Sequence, residues 1–211
     1  MKVLIINFNR LILPQNMANW LSSRGCEPIF IDNNSTYPPL IEYYNDCPYP
    51  VYLMGYNYGH KVIWETDILN QIGIKGNYIV TDPDLDLTGI PDDFVEVLQE
   101  GLNRYPIYGK CGFSLEINDL PDIESNISVR MWEDHFWIDP LDSQYFRAAI
   151  DTTFALYRTN RFSFNSLRTN RPYTARHVPW YYKQLSDLQE DEQYYFTTAG
   201  KSCSGNKRLK R

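Results

Sequence analysis

Four short apolar segments alternate with helical segments over the first 105 residues, and this alternation restricts the possible folds more than any other feature of the sequence. The apolar segments are KVLIINF at 2–8, EPIFID at 27–32, PVYLMGYN at 50–57 and NYIVTD at 77–82. Apolar runs of this length are typical of strands that are buried on both faces of a sheet. Their alternation with helices predicts a mostly parallel sheet.

The segments between these strands carry the signals of helices. Residues 13–24 show apolar positions at helical spacing, and Gly25 follows as a stop signal. Residues 91–106 begin with a proline and two acids, which suit a helix N-terminus. Shorter helices are expected at 38–46 and 60–72. We therefore predict a single α/β domain in which helices flank a mixed, mostly parallel central sheet.

Each predicted strand is followed by polar residues. These polar ends are Asn7–Arg10, Asp32–Thr36, Asn57–His60 and Asp82–Asp86. Ligands of open α/β sheets bind beyond the carboxyl ends of the strands. The four polar ends are therefore expected to converge on one crevice, which is the predicted functional site.

Charge and composition exclude several classes of protein. The chain has a net charge of −6 and a pI near 5.1, which argues against a general nucleic-acid binder. No segment approaches the ~18 apolar residues of a membrane span. The four cysteines form no C-x-x-C pair, so we expect no zinc site and a reduced, cytoplasmic protein.

The second half of the chain is rich in aromatic residues and carries weaker structural signals. GKCGFSLEI at 109–117 and FALYR at 154–158 predict strands, and HVPWYYKQL at 177–185 predicts a short helix. We expect residues 106–200 to complete the same domain. The basic end at 201–211 is expected to be a solvated tail or a linker.

Asp82, Asp84 and Asp86 follow the fourth predicted strand at alternate positions. Like charges at this spacing raise one another's pKa unless a cation neutralises them. Carboxylate oxygens suit Mg²⁺ and Mn²⁺, and Mg²⁺ is commonly held by one or two carboxylates together with substrate phosphates. A solvated acidic turn before the next helix would explain the same residues, so this segment alone leaves both interpretations open.

Five segments, in this order, carry a resemblance to a known family. FNR at 8–10, IDNNST at 31–36 and VTDPD at 80–84 resemble the nucleotide-sugar-binding half of GT-A-fold glycosyltransferases. AIDTTFALYR at 149–158 and PYTARHVPWY at 172–181 resemble segments of small bacterial and viral members. The resemblance covers nearly the whole chain. It implies a nucleotide-binding half at 1–105 and an acceptor and sugar half at 106–200.

The resemblance also implies roles for individual residues in binding the nucleotide sugar. Asn9 and Arg10 would line the nucleotide pocket. Asp32 would accept a hydrogen bond from the base, and Asn57 would lie near the base or the ribose. Asp82 would meet the ribose or a metal-bound water. An Asx-type turn around Asp32 would account for the same sequence without a ligand.

A second set of implied roles concerns the metal ion, Mn²⁺ or Mg²⁺. Asp84 would bind the ion directly and Asp82 is the next candidate, whereas Asp86 lies outside the Asp-x-Asp motif. His177 falls where some family members place a ligand of the metal or the diphosphate. A structural role for this lone histidine remains the alternative.

Three acids are candidates for the catalytic group. Asp151 lies among apolar neighbours, where an unpaired carboxylate would be costly to bury. Glu133 and Asp134 lie between tryptophans, which commonly stack on sugar rings, although these tryptophans could equally belong to the core. An inverting transfer needs a carboxylate base near the acceptor hydroxyl, whereas a retaining transfer does not, and the resemblance favours retention.

The predicted function is the metal-dependent transfer of glucose, galactose or a deoxyhexose such as rhamnose from a UDP-sugar to a glycan hydroxyl. Further domains beyond the C-terminus are compatible with the resemblance. A sugar nucleotidyltransferase would usually carry a glycine-rich loop after its first strand, and NFNRLILPQN contains no glycine. A non-catalytic carbohydrate-binding module would leave the IDNNST and TDPD segments unexplained.

Overall fold

The computed structural model describes residues 1–158, 162 and 164–199. The described strands are β1 Lys2–Asn7, β2 Glu27–Asp32, β3 Val51–Leu53, β4 Tyr78–Thr81, β5 Leu85–Asp86, β6 Lys110–Leu115, β7 Tyr145–Arg147, β8 Ala155–Tyr157 and β9 Ser166–His177. The α-helices in the same residues are α1 Ile12–Ser22, α2 Pro38–Asn45, α3 Val62–Glu65, α4 Ile68–Ile72, α5 Phe94–Arg104, α6 Glu124–Glu133 and α7 Glu190–Thr198. Single turns of 3-10 helix lie at Gly59–Lys61, Asp134–Trp137, Val178–Trp180 and Leu185–Asp187.

The described strands form one sheet in the order β3-β2-β1-β4-β8-β6-β9-β5, and β7 pairs with β9. The first four strands of this order are mutually parallel, so their carboxyl ends lie at one edge. Beyond them, β8 runs antiparallel to both β4 and β6, and β6 runs parallel to β9. The prediction of a mixed α/β sheet flanked by helices is confirmed.

The core lies on both faces of the sheet. Along β1, Val3 and Ile5 belong to a cluster that includes residues of α1 and α5, whereas Leu4 and Ile6 belong to a cluster with residues of α3 and α4. Successive side chains of a strand point to opposite faces. Each fully buried aliphatic side chain contributes about 1.5–3 kcal/mol to folding. The uninterrupted apolar sequence of β1 is therefore explained by two helical layers.

The segment predicted as one helix over 60–72 is broken into a 3-10 turn, α3 and α4. Thr66 is extended, with φ −127° and ψ 173°. Its hydroxyl donates a hydrogen bond of 2.7 Å to the carbonyl oxygen of Val62. Threonine side chains that bond the backbone in this way compete with helix formation, which accounts for the break.

Other elements also differ from expectation. The helix predicted over 177–185 is wrong, because β9 continues to His177 and only single 3-10 turns lie between β9 and α7. The strand predicted over 50–57 is limited to Val51–Leu53. The sequence also gave no indication of α7. Residues 201–211 lie outside the described residues, and no described helix is long and apolar enough to cross a membrane.

Candidate active site

A crevice of about 350 Å³ lies at the carboxyl ends of the four parallel strands. The loop before β8, the end of β9 and helix α7 complete its walls. The polar and aromatic side chains in its lining include those of Asn7, Phe8, Arg10, Asn33, Asn57, His60, Asp82, Asp84, Asp151, Thr152, His177 and Tyr195. Residues from all four predicted polar ends are present, so the ends of the strands do converge.

Asp84 is buried in the crevice and faces two basic side chains. Its Oδ2 atom lies 3.0 Å from Nη1 of Arg10 and 3.4 Å from Nε2 of His177. Burial by itself would raise the pKa of Asp84, but the Arg10 guanidinium and His177 hold that pKa well below its usual value. Asp84 is therefore ionised at neutral pH.

The second oxygen of Asp84 has an unusual environment. Oδ1 is buried and has no hydrogen-bond partner within the described residues. The Nδ1 atom of His177 is also buried without such a partner. Buried polar atoms are normally hydrogen-bonded, and an exception calls for an explanation such as an ion or a water molecule. A carboxylate oxygen in this condition is well suited to bind a cation.

Asp82 is partly buried beside Asp84. Its Oδ1 atom accepts a hydrogen bond of 2.7 Å from the hydroxyl of Thr152. Burial and the negative charge of Asp84 raise the pKa of Asp82 to about 7. A divalent cation between the two aspartates would favour the ionised form of both.

The donor set fits a metal ion that is held partly by its substrate. Within the described residues, no group of three or more histidine, cysteine, aspartate or glutamate side chains is arranged to hold a metal ion. Mg²⁺ is often bound by one or two carboxylates together with waters and phosphates. Asp84 and Asp82 provide such carboxylates. Asp86 does not line the crevice, and its Oδ1 atom accepts a hydrogen bond from the backbone N–H of Thr88.

Arg10 is held by helix α7 as well as by Asp84. Its Nε and Nη2 atoms lie 2.6 and 3.3 Å from the two carboxylate oxygens of Glu192. The centre of the guanidinium lies 3.6 Å from the ring centroid of Tyr195. The sequence analysis missed Glu192 and Tyr195, because a partner 182 residues away leaves no local pattern.

The carboxylate of Asp32 bonds to residues of its own loop and of α2. Its Oδ1 atom accepts a hydrogen bond from the backbone N–H of Ser35, and its Oδ2 atom accepts bonds from the hydroxyls of Ser35 and Tyr44. The carboxylate does not line the crevice, although the next residue, Asn33, does. Asp32 thus closes a local turn by bonding the backbone three residues later, and this arrangement does not support the implied contact between Asp32 and a base.

The side chain of Asn9 also forms hydrogen bonds with neighbouring segments and does not line the crevice. Its Oδ1 atom accepts hydrogen bonds from the backbone N–H groups of Thr36 and Tyr37, and its Nδ2 atom donates one to Thr198. Asn7 lines the crevice instead, and its buried Oδ1 atom has no partner within the described residues. The implied role of Asn9 in lining the pocket is therefore not supported.

Asn57, His60 and Asp151 lie at the rim. Nε2 of His60 is 3.8 Å from Oδ1 of Asp151, and both side chains are more than half exposed. The loop that carries Asp151 is held from below by Lys110, whose Nζ atom donates hydrogen bonds to the carbonyl oxygens of Ile150 and Asp151. His60, to which the sequence analysis assigned no role, is thus a crevice residue.

Glu133 and Asp134 lie away from the crevice. Glu133 is buried, and its Oε2 atom accepts a hydrogen bond of 2.7 Å from Nη1 of Arg168. Asp134 is exposed in the 3-10 turn that follows α6. Neither side chain lines the crevice. Of the three candidate catalytic acids, the structure brings Asp151 to the site and not the other two, because the Arg168 ion pair holds Glu133 within the fold.

The fold and the crevice define an α/β protein with a candidate cation and phosphate site at the carboxyl ends of parallel strands. No family model matches the chain, and no curated protein matches it. Solved structures do match. One is a mannosyltransferase from Pyrobaculum calidifontis in complex with GDP-Man and Mn²⁺, with a TM-score of 0.43 and 11% identity over 74% of this chain and 44% of that chain.

Another is glucosyl-3-phosphoglycerate synthase from Mycobacterium tuberculosis in complex with phosphoglyceric acid. It matches with a TM-score of 0.45 and 10% identity over 74% of this chain and 56% of that chain. The chain therefore spans about half the length of these two proteins. At such identities the likeness concerns the course of the backbone alone.

Proposed function

We propose that this protein is a glycosyltransferase that moves a sugar from a nucleoside diphosphate donor, UDP-linked, to a hydroxyl group of a glycan with the help of Mn²⁺ or Mg²⁺. The observation that carries the proposal is the buried Oδ1 atom of Asp84, which has no hydrogen-bond partner in the part of the chain that the structure describes and lies beside Arg10 and Asp82 in the crevice. Carboxylates suit the cation, and a guanidinium suits phosphate oxygens.

The crevice has the size and the groups that a nucleotide-sugar donor requires. Its volume of about 350 Å³ lies within the ordinary range of small-molecule sites. Arg10 provides a fixed positive charge for the diphosphate. Asn57, in the loop after β3, lines the crevice and provides an amide group for the base or the ribose, as the resemblance implies. We propose that these residues hold the donor while its sugar points towards Asp151.

When bound, the divalent cation would stabilise the negative charge that develops on the departing diphosphate. Asp84 and Asp82 would hold this ion, with His177 close to Asp84. Arg10 would add a second positive charge near the same oxygens. Asp151 faces the crevice and would orient sugar hydroxyls. The family resemblance favours retention, in which the leaving phosphate takes the proton of the acceptor hydroxyl.

Calorimetry with UDP and with GDP, each with and without Mn²⁺, tests the proposal. We expect UDP to bind and its affinity to depend on Mn²⁺. Binding of GDP in place of UDP would keep the class of enzyme and change the base. Absence of metal-dependent binding of either nucleotide would remove the proposal. A panel of UDP-sugars, assayed for release of UDP, would then identify the donor among glucose, galactose and deoxyhexose derivatives.

A further inference from the structure

Helix α7 is attached to the loop between β1 and α1 by two consecutive buried acids. Oδ2 of Asp191 accepts hydrogen bonds of 2.8 Å from the backbone N–H groups of Leu11 and Ile12. These groups lie at the N-terminus of α1, where Leu11 provides no side-chain cap of its own. Backbone N–H groups at this end of a helix need partners from outside the helix. Asp191 therefore fastens α7 to the start of α1.

The neighbouring acid, Glu192, faces the crevice side of the same loop. Its side chain is 1% exposed, and it contacts Arg10 through both of its oxygens. A two-point contact of this kind fixes the plane of a guanidinium as well as its position. The ring of Tyr195, one turn later in α7, covers the face of the same guanidinium. Arg10 is thus held from two sides by a single helix.

The contacts of Arg10 leave part of the guanidinium directed at the crevice. Glu192 accepts hydrogen bonds from Nε and Nη2, and Oδ2 of Asp84 lies 3.0 Å from Nη1. A guanidinium carries five N–H groups. These two carboxylates therefore leave at least two N–H groups of Arg10 without a carboxylate partner among the described residues, and Arg10 lines the crevice. The N–H donors of a guanidinium suit the oxygens of a phosphate.

We infer that Glu192 is a positioning residue, which orients the guanidinium of Arg10 to bind the diphosphate of the donor. The inference rests on the proposed function and goes beyond it, because it makes α7 a part of the donor site. Without Glu192, Arg10 would keep its charge but would be free to rotate towards Asp84. The expected consequence is a loss of affinity that is larger for a nucleoside diphosphate than for a nucleoside monophosphate.

The test compares UDP with UMP, both in Mn²⁺, by calorimetry on the wild-type protein and on Glu192→Gln. UMP shares the base and the ribose of UDP and lacks its second phosphate. We expect Glu192→Gln to weaken UDP binding about tenfold, the size of one hydrogen bond to a charged group, and to weaken UMP binding much less. In Glu192→Gln, the ratio of the affinity for UDP to the affinity for UMP should therefore be lower than in the wild-type protein. If GDP is the ligand of the wild-type protein, GDP and GMP replace the two probes.

Two neighbouring acids of the same helix supply the controls. Asp191→Asn disturbs the attachment of α7 without touching Arg10, so we expect a lower Tm and an equal loss of affinity for UDP and UMP. Glu190 is exposed, and Glu190→Gln should change neither affinity. If Glu192→Gln does not fold, Glu192→Asp keeps the charge with a shorter side chain, and the UDP-to-UMP ratio should again fall.

The outcomes separate the two proposals. An equal loss of affinity for UDP and UMP in the Glu192 variant would make this residue merely structural and would overturn the inference alone. Unchanged binding of both UDP and UMP in the Glu192 variant would also overturn the inference. If the wild-type protein binds neither UDP nor GDP in Mn²⁺, the proposed function fails and the role of Glu192 fails with it.

Discussion

The hydroxyl of Thr152 donates a hydrogen bond of 2.7 Å to Oδ1 of Asp82. This bond joins the loop before β8 to the end of β4, across 70 residues of sequence. The same loop is held by Lys110, which is fully buried and bonds the carbonyl oxygens of Ile150 and Asp151. The orientation of an aspartate in the first half of the chain is therefore set by the second half.

Thr152→Val should weaken metal-dependent UDP binding about tenfold, since it removes one hydrogen bond to a carboxylate and keeps the shape of the side chain. The lost bond would also raise the pKa of Asp82, because this hydrogen bond favours the ionised form. Calorimetry with UDP in Mn²⁺ measures the effect. Thr152→Ser retains the hydroxyl and should bind UDP nearly as the wild-type protein does. Equal affinities of the valine and serine variants would contradict the role of the bond.

Asp84→Asn should weaken the binding of UDP in Mn²⁺ at least about tenfold. Loss of a residue that only hydrogen-bonds a metal ligand commonly costs about this much, and loss of a direct ligand should cost no less. Asp86→Asn is the matched control, since Asp86 follows in the same segment but does not line the crevice. We expect it to bind UDP normally. Circular dichroism verifies that both variants fold. Wild-type affinity in Asp84→Asn would show that the metal is held elsewhere.

The stability of the metal-free protein should depend on pH through Asp82. The pKa of this group is about 7 in the folded protein and about 3.9 in an unfolded chain. The folded state therefore holds the proton more tightly, and the stability that Asp82 contributes is present at low pH and is lost as the pH rises towards 7.

Asp82→Asn removes this titration. We expect the Tm of the variant to exceed that of the wild-type protein at pH 8, and to exceed it by a smaller amount at pH 5. Thermal unfolding in the presence of a chelator at the two pH values provides the measurement. A Tm difference that is the same at both would rule out a raised pKa of Asp82.

Lys110→Met should lower the free energy of unfolding by about 2 kcal/mol, because it leaves the buried carbonyl oxygen of Ile150 without its lysine donor, whereas the carbonyl oxygen of Asp151 keeps a hydrogen bond from the hydroxyl of Tyr157. Burial lowers the pKa of Lys110 to about 8. Urea denaturation measures the change. Lys75 is exposed, and Lys75→Met should be close to neutral. A neutral effect of Lys110→Met would mean that the loop does not depend on this amine.

Much of the crevice could be predicted from local sequence. The apolar runs placed the four strands β1 to β4, and the geometry of parallel strands then brought Asp84, Asp82 and Asn57 to one edge. The same logic failed for β9 and α7. The sequence of β9, SLRTNRPYTARH, has no strict apolar alternation, and the strand is stabilised by its pairing with β5, β6 and β7 rather than by a local preference.

Local chemistry also left the roles of Asp32 and Asn9 open. An aspartate after a strand can bind a ligand or close a turn, and the outcome here depends on Tyr44, which α2 brings to its second oxygen. The Oδ1 atom of Asn9 accepts hydrogen bonds from the backbone N–H groups of Thr36 and Tyr37. In both cases a neighbour from another element occupies the atoms that a ligand would need.

The sequence by itself determined the parallel half of the sheet and the strand ends that line the crevice, because strand period and chain direction are local properties. Only the tertiary structure decided which side chains are free to act. The contacts of Arg10 with Glu192 and of Asp82 with Thr152 join segments far apart in the chain. They form because burial makes an unpaired charge costly, so each charged group of the crevice is stabilised by a partner that only the folded chain brings near.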